Sequence, residues 1–195
     1  MKYDMIIAGV GGQGVLSIAA IIASSAMKEG LYVKQSEVHG MSQRGGAVYA
    51  NLRLSDQPIY SDLIADGTAS MILSMEPLES LRYLHYLKDD GYLITSENPE
   101  LNIPDYPDLN ELLQKIRSLP NALTIDAHKL AMEAGSGRAT NMVLAGAASH
   151  FLPIKPETME NFIKEIFARK GDKVVDINLK AFGMGRKLGE QLLKS

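Results

Sequence analysis

The first thirty residues leave this chain little choice of fold. A short apolar run over residues 3–8 passes at once into Gly9-Val10-Gly11-Gly12-Gln13-Gly14. Residues 15–27 are then apolar nearly all round, with Ser17, Ser24, Ser25 and Lys28 confined to one narrow stripe at helical spacing. A helix of that composition must be pressed against a sheet over most of its surface. Gly30 supplies the glycine that ends it, and residues 31–35 begin a second strand. This strand–helix–strand opening predicts an α/β fold: a Rossmann-like three-layer domain with a mainly parallel sheet and elaborated loops.

The rest of the chain fits that architecture. Between residues 37 and 46 the periodicity stops, in Glu37-Val38-His39-Gly40-Met41-Ser42-Gln43-Arg44-Gly45-Gly46. Strict alternation follows, with Val48, Ala50, Leu52 and Leu54 on one face and Tyr49, Asn51, Arg53 and Ser55 on the other. That pattern predicts a half-buried strand with one wet or partner-facing side. Further strands are expected at 69–74, 92–95 and 122–125. Helices are expected at 77–87, 109–119, 127–134, 141–151, 156–169 and 176–194. Residues 98–107 read as an irregular excursion. At 195 residues there is room for one sizeable α/β domain and not for two, so the expected organisation is one domain over 1–195.

Composition removes several classes of function. A net charge of −3 with 22% charged residues gives no electrostatic reason to expect nucleic acid or an anionic membrane as partner. No apolar run reaches the ~18 residues that a spanning helix needs. Asp4 and the glycines interrupt the one N-terminal stretch that resembles a signal peptide, so a cytoplasmic location is expected. The chain contains no cysteine. It therefore cannot form a disulfide, a thiolate zinc site, a cysteine nucleophile or an ordinary iron–sulfur site. In a redox reaction, a partner chain would have to carry the electrons.

Gly9, Gly11 and Gly14 satisfy the G-x-G-x-x-G pattern between a strand and a helix, an arrangement that brings backbone amides close to an anion. Dinucleotide enzymes place an acidic residue at the end of the second strand, ~20 residues on, to hold the ribose. Here Lys34, Gln35 and Ser36 occupy that region, and Glu37 arrives late. Three readings of the turn stay open: a dinucleotide, packing alone, or a different ligand or subunit contact.

The two glycine-rich stretches together are more specific than either alone. Gly9 to Val15, taken with Ser36-Glu37-Val38-His39-Gly40-Met41-Ser42-Gln43-Arg44-Gly45-Gly46, resembles the γ-type domain of 2-oxoacid:ferredoxin oxidoreductases, in the form of the indolepyruvate branch. Glu76-Pro77-Leu78-Glu79 and Thr140-Asn141-Met142-Val143-Leu144-Ala145-Gly146 add supporting matches, so the resemblance covers essentially the whole chain. It implies the small β subunit of an enzyme that decarboxylates a 2-oxoacid on thiamine diphosphate and magnesium. Such enzymes pass electrons through iron–sulfur clusters to ferredoxin and transfer the acyl group to coenzyme A. A large α subunit would carry the thiamine and the clusters, and this chain alone would bind no cofactor. The residues agree with that division: besides lacking cysteine, the chain has no Gly-Asp-Gly followed at the appropriate distance by Asn-Asn to hold magnesium diphosphate.

Within this frame the two glycine loops are expected to meet at the C-terminal edge of the sheet, where α/β folds place ligands. The amides of Gly11 to Gly14, with Gly9 shaping the turn, and the Arg44 guanidinium suit a phosphate or carboxylate. His39 is the candidate proton donor or relay. Glu37, Gly40, Ser42, Gln43, Gly45 and Gly46 complete the expected ligand or subunit surface, and Glu37 is also a candidate partner for Arg44. The stretch from Gly135 to Thr140 is a second candidate anion cradle, with Thr140 or Asn141 capping the next helix. Asp126 and His128 are too few to make a metal site; His85 and His150 read as structural. Gly183, Gly185 and Gly189 imply a last helix lying close against protein. The competing functions are a stand-alone nucleotide-binding oxidoreductase, a γ-type subunit serving another 2-oxoacid such as pyruvate or ketoisovalerate, and a binding module outside any enzyme. A homodimer of the isolated chain is also open.

Overall fold

A computed structural model describes residues 1–39, 45–101 and 103–192. Its six-stranded sheet has the order β2-β3-β1-β4-β5-β6. The strands are β1 (Lys2–Val10), β2 (Tyr32–His39), β3 (Ala47–Ser55), β4 (Ala69–Ser74), β5 (Leu87–Ser96) and β6 (Ala122–Ile125). β1, β4, β5 and β6 pair in parallel, as the opening pattern predicts. β2, however, does not lie beside β1. The antiparallel strand β3 occupies that slot, pairing with β1 from Lys2↔Ser55 to Val10↔Ala47 and with β2 on its other side. The helix α1 (Val15–Lys28) still makes the crossover, but a hairpin rather than a single strand receives it.

The polar side of β3 is a second correction. Asn51 and Ser55 are buried instead of wet. Arg53 is held in a bidentate pair with Asp4, which is 2% exposed, and it also donates to the carbonyls of Ser61 and Leu63. The segment after β3 is thereby folded back over the strand. A guanidinium with five fixed donors can hold a carboxylate and two carbonyls at once, which satisfies the charge that burial would otherwise penalise.

Two apolar layers flank the sheet. The larger gathers α1, α4 (Ala127–Ala134), α5 (Thr140–Ala148), α6 (Pro156–Phe167) and α7 (Asp172–Leu192) over residues such as Met5, Ile7, Leu52 and Leu73. The smaller packs α2 (Pro77–Arg82) and α3 (Leu109–Arg117) on Ile6, Ala8, Ile72 and Leu93. α2 stops earlier than its periodicity suggests and passes into a 3-10 turn at Leu84–Tyr86, where β5 begins. α7 starts at Asp172, just after Gly171, whose φ is +90°. Against α7 lies α5, backbone to backbone. A Cβ on Gly146 would collide with the Phe182 carbonyl, one on Gly185 with the Val143 carbonyl, and one on Gly189 with the Ala147 carbonyl. Two of the three late glycines are thus explained by close packing, while Gly183 faces open space. No helix among the described residues is long and apolar enough to cross a membrane.

Candidate functional site

The parallel strands β1, β4, β5 and β6 deliver their carboxyl ends to one edge. The chain leaves β1 toward β2 on one side, while β4 lies on the other, so the end of β1 is the point where the strand order reverses. This is where open α/β sheets hold their ligands. The turn there is folded by its own residues. The Gln13 side-chain oxygen accepts from Val10 N–H at 2.8 Å, and Gln13 N–H donates to the Val10 carbonyl at 3.1 Å. Gly12 and Gly14 take φ values of +105° and +88°, which a residue with a Cβ adopts only under strain.

The two glycine loops do meet. Gly11 N–H donates to the Gly46 carbonyl at 2.9 Å, immediately before Ala47 enters β3 opposite Val10. That contact alters the expected amide cradle. The N–H groups of Gly11 and Gln13 are consumed inside the protein, whereas those of Gly12 and Gly14 donate to no partner among the described residues. α1 begins behind them with no side-chain cap. Gly9 is needed for space rather than for a ligand: a Cβ there would crowd Gln13, Met75 and Val15.

The second loop is described only at its ends. Glu37 accepts a hydrogen bond from Gln35 Nε2 at 2.6 Å, and Gly45 turns with φ +78°. The backbone of His39 pairs with Val48, but its side chain, together with Gly40, Ser42, Gln43 and Arg44, lies outside the described residues.

The structure joins what the sequence separates. A cleft of about 310 Å³ is lined by Gly12 and Gln13 from the first turn, Asn98 just after β5, His128 from α4, Arg138 from the Gly135–Thr140 region and Asn141 from the start of α5. The two candidate anion cradles therefore border one cleft. Thr140 is not the cap of α5: Ala139 holds that position, and the Thr140 hydroxyl donates back to the Gly137 carbonyl at 2.7 Å. Asn141 is 7% exposed, and its carboxamide oxygen is buried with no partner. The same side chain lies so close to Gly14 that a Cβ there would strike its nitrogen.

Sequence reasoning missed Asn98. Its side-chain oxygen accepts from Ser96 Oγ and from His128 N–H, both at 2.9 Å, and its nitrogen donates to Asp126 at 3.1 Å. Asp126 in turn accepts from Lys129 N–H, so the start of α4 is closed by two side chains. The Asn-Pro pair at 98–99 is a turn signal and could have flagged it. Glu76 was also missed as a structural centre. Buried to 1% exposure, it accepts from Glu79 N–H at 2.8 Å to cap α2 and takes a short hydrogen bond from Tyr106 OH. Desolvation and then the Glu76 carboxylate push the Tyr106 phenol far above its ordinary range. This bond ties Tyr106 to the start of α2. Among the described residues no three metal-capable side chains lie together. His150 contacts the Arg186 carbonyl at 2.7 Å, and His85 stacks on Tyr86.

Known proteins place the chain firmly. Residues 4–188 match the family model of pyruvate ferredoxin/flavodoxin oxidoreductase. The indolepyruvate oxidoreductase subunit IorB of Pyrococcus horikoshii is 40% identical over 98% of both chains. The pyruvate/ketoisovalerate oxidoreductases common subunit gamma of Thermococcus kodakarensis is 31% identical, over 82% of this chain and 84% of that one. Among solved structures, the 2-oxoglutarate:ferredoxin oxidoreductase of Magnetococcus marinus, with 2-oxoglutarate, coenzyme A and succinyl-CoA bound, shares the fold at a TM-score of 0.80 and 24% identity. That match covers all of this chain and 32% of the longer one. The gamma subunit of a keto/oxoacid ferredoxin oxidoreductase from Geobacter sulfurreducens matches at TM-score 0.69 over 99% of both chains. Matched by the family model over residues 4–188 and aligned almost end to end with IorB subunits, this chain belongs to the pyruvate ferredoxin/flavodoxin oxidoreductase family, as a small subunit of the IorB type.

Proposed function

We propose that this chain, as one γ-type domain over 1–195, is the small subunit of a thiamine-dependent enzyme that oxidatively decarboxylates indolepyruvate and other aryl 2-oxoacids to acyl-CoA. The observation that carries the reading is the near-complete alignment with IorB subunits at 34–40% identity. In this scheme a large α subunit holds thiamine diphosphate, magnesium and the iron–sulfur clusters, and ferredoxin accepts the electrons from the complex. The lack of any cysteine supports that division of labour, because this chain has no thiolate to offer a cluster. The compartment is the cytoplasm, and the chain has no activity by itself.

The contribution of this chain is a docking surface at the carboxyl edge of the sheet, beside the partner's active site and the path of coenzyme A. Gly11 and Gly46 fasten the two loops into one surface. In this reading His39 is the proton donor or relay, and Arg44 is the cation for an anionic group. The test is co-expression with the candidate α subunit, followed by an anaerobic assay of coenzyme-A-dependent indolepyruvate oxidation. Activity confined to the complex is the expected outcome; a chain that captures no α subunit would sink the reading. Replacing His39 or Arg44 by Ala in the assembled complex then separates roles: normal turnover with normal assembly removes them from catalysis. The 31% identity to a pyruvate/ketoisovalerate subunit supports one second reading, a different 2-oxoacid, which the same assay resolves by substrate competition.

A further inference from the structure

We propose that the groove between α2 and α3 is a self-association surface, through which two copies of this chain pair α3 against α3 about a two-fold axis. The groove lies on the smaller apolar layer and shares no residue with the cleft at the glycine turn. It adds a second copy of this chain to the large subunit proposed above.

The groove, about 490 Å³ in volume, has Leu78, Leu81 and Leu112 as its apolar lining and a charged rim. Leu112 is buried, whereas Leu78 and Leu81 stay half-buried and open to a partner. Two of the rim charges are already spent. Arg82 is held by Glu79 at 3.0 Å, and Asp108 caps α3 by accepting from the N–H groups of Asn110 and Glu111. Glu111 and Lys115 are left. Both are exposed, and among the described residues neither side chain makes an ion pair or a hydrogen bond.

Their order along the helix selects the occupant. Glu111 precedes Lys115 by one turn, about 6 Å along a single face of α3. Turned through half a circle about an axis level with Leu113, a second α3 sets its Lys115 opposite Glu111 and its Glu111 opposite Lys115. The acid–base pattern is thus complementary to its own image, as an isologous dimer requires. Antiparallel helices also place opposite dipole ends side by side. The leucines of the two grooves then meet beside the axis, and their contact removes apolar surface from water. Helices of six and nine residues offer little area beside the ~1,200 Å² at which stable interfaces begin. The pairing is therefore weak and concentration-dependent.

The experiment follows the full chain by analytical sedimentation over a concentration series at low ionic strength. A monomer–dimer equilibrium that weakens as salt is added is expected. Glu111→Lys and Lys115→Glu, both exposed changes, should each weaken it at least tenfold by setting like charges face to face. Mixing the two variants is the decisive arm: their faces are complementary, and a heterodimer of near wild-type affinity should form. Neither a misfolded variant nor a merely solvated helix face would give that rescue. Lys164→Glu, an exposed change on α6 in the other layer, should leave the equilibrium unchanged. A chain that stays monomeric throughout, single variants that dimerise as well as the wild type, or a mixture that fails to associate overturns the proposal. The same variants are scored for α-subunit capture. Lost capture by variants of a chain that is itself monomeric assigns the groove to the large subunit and equally overturns self-association.

Discussion

Glycine is used in opposite ways in two regions of this molecule. Along the α5–α7 contact, Gly146, Gly185 and Gly189 sit where there is no room for a side chain, and the helices touch through their backbones. At the Gly9–Gly14 turn, Gly12 has nothing within 4 Å of where a side chain would begin, and the constraint lies in its positive φ. The first region is closed by packing, so its identity follows from stability alone. In the second, Gly9 and Gly14 are crowded too, but Gly12 and Gly14 answer first to a positive φ that packing does not require. Space left open beside a turn of that shape is therefore the stronger guide to function.

Substitutions can break this contrast. The largest effect is expected from Gly185→Val, which drives three extra carbons into the Val143 carbonyl; a loss of about 3 kcal/mol or more, read as a collapse of the urea midpoint, follows from overpacking between backbones. Gly14→Ala combines φ strain with a collision at Asn141 and should cost roughly 2–3 kcal/mol. Adding Asn141→Gly ought to return the steric part and leave the strain, so a double mutant no better than Gly14→Ala would show that the two residues are not in contact. Gly12→Ala carries strain without a clash, about 1–2 kcal/mol. A loss as large as that of Gly185→Val would erase the distinction between the two regions. Asp126→Ala, at the capped end of α4, should cost about 1 kcal/mol by thermal melting. No equivalent loss is available at the start of α1, where no cap exists.

Much of the fold was legible because its elements carry their own signals. The apolar runs at β1, β4 and β6, and the helices α3 and α4, appear where their periodicity and caps put them. What failed was adjacency. Alternation along β3 identifies a strand but says nothing about which neighbours it takes, and the insertion of β3 between β1 and β2 rests on pairings with both. Its polar face was misjudged for a related reason: Arg53 looks like a surface residue until Asp4, forty-nine positions away, is seen to receive it. In the candidate site, the glycine turn announced itself. Asn141 was named as a helix cap, and its meaning emerged only when α5 brought it against Gly14. Asn98 carried no periodicity at all, since its three side-chain hydrogen bonds join the end of β5 to the start of α4.

The position of β3 also sets an order of events. β1 is made first and ends near the middle of the sheet, yet each of its partners comes later: β3 closes the ladder only when Ser55 meets Lys2, and β4 only beyond residue 69. Until then an apolar strand has both edges unsatisfied, and the β2–β3 hairpin is the one sheet element that local contacts can assemble. A nascent chain that completed the hairpin before docking it would carry an orphan first strand, and an apolar strand with open edges is the kind of surface on which aggregation starts.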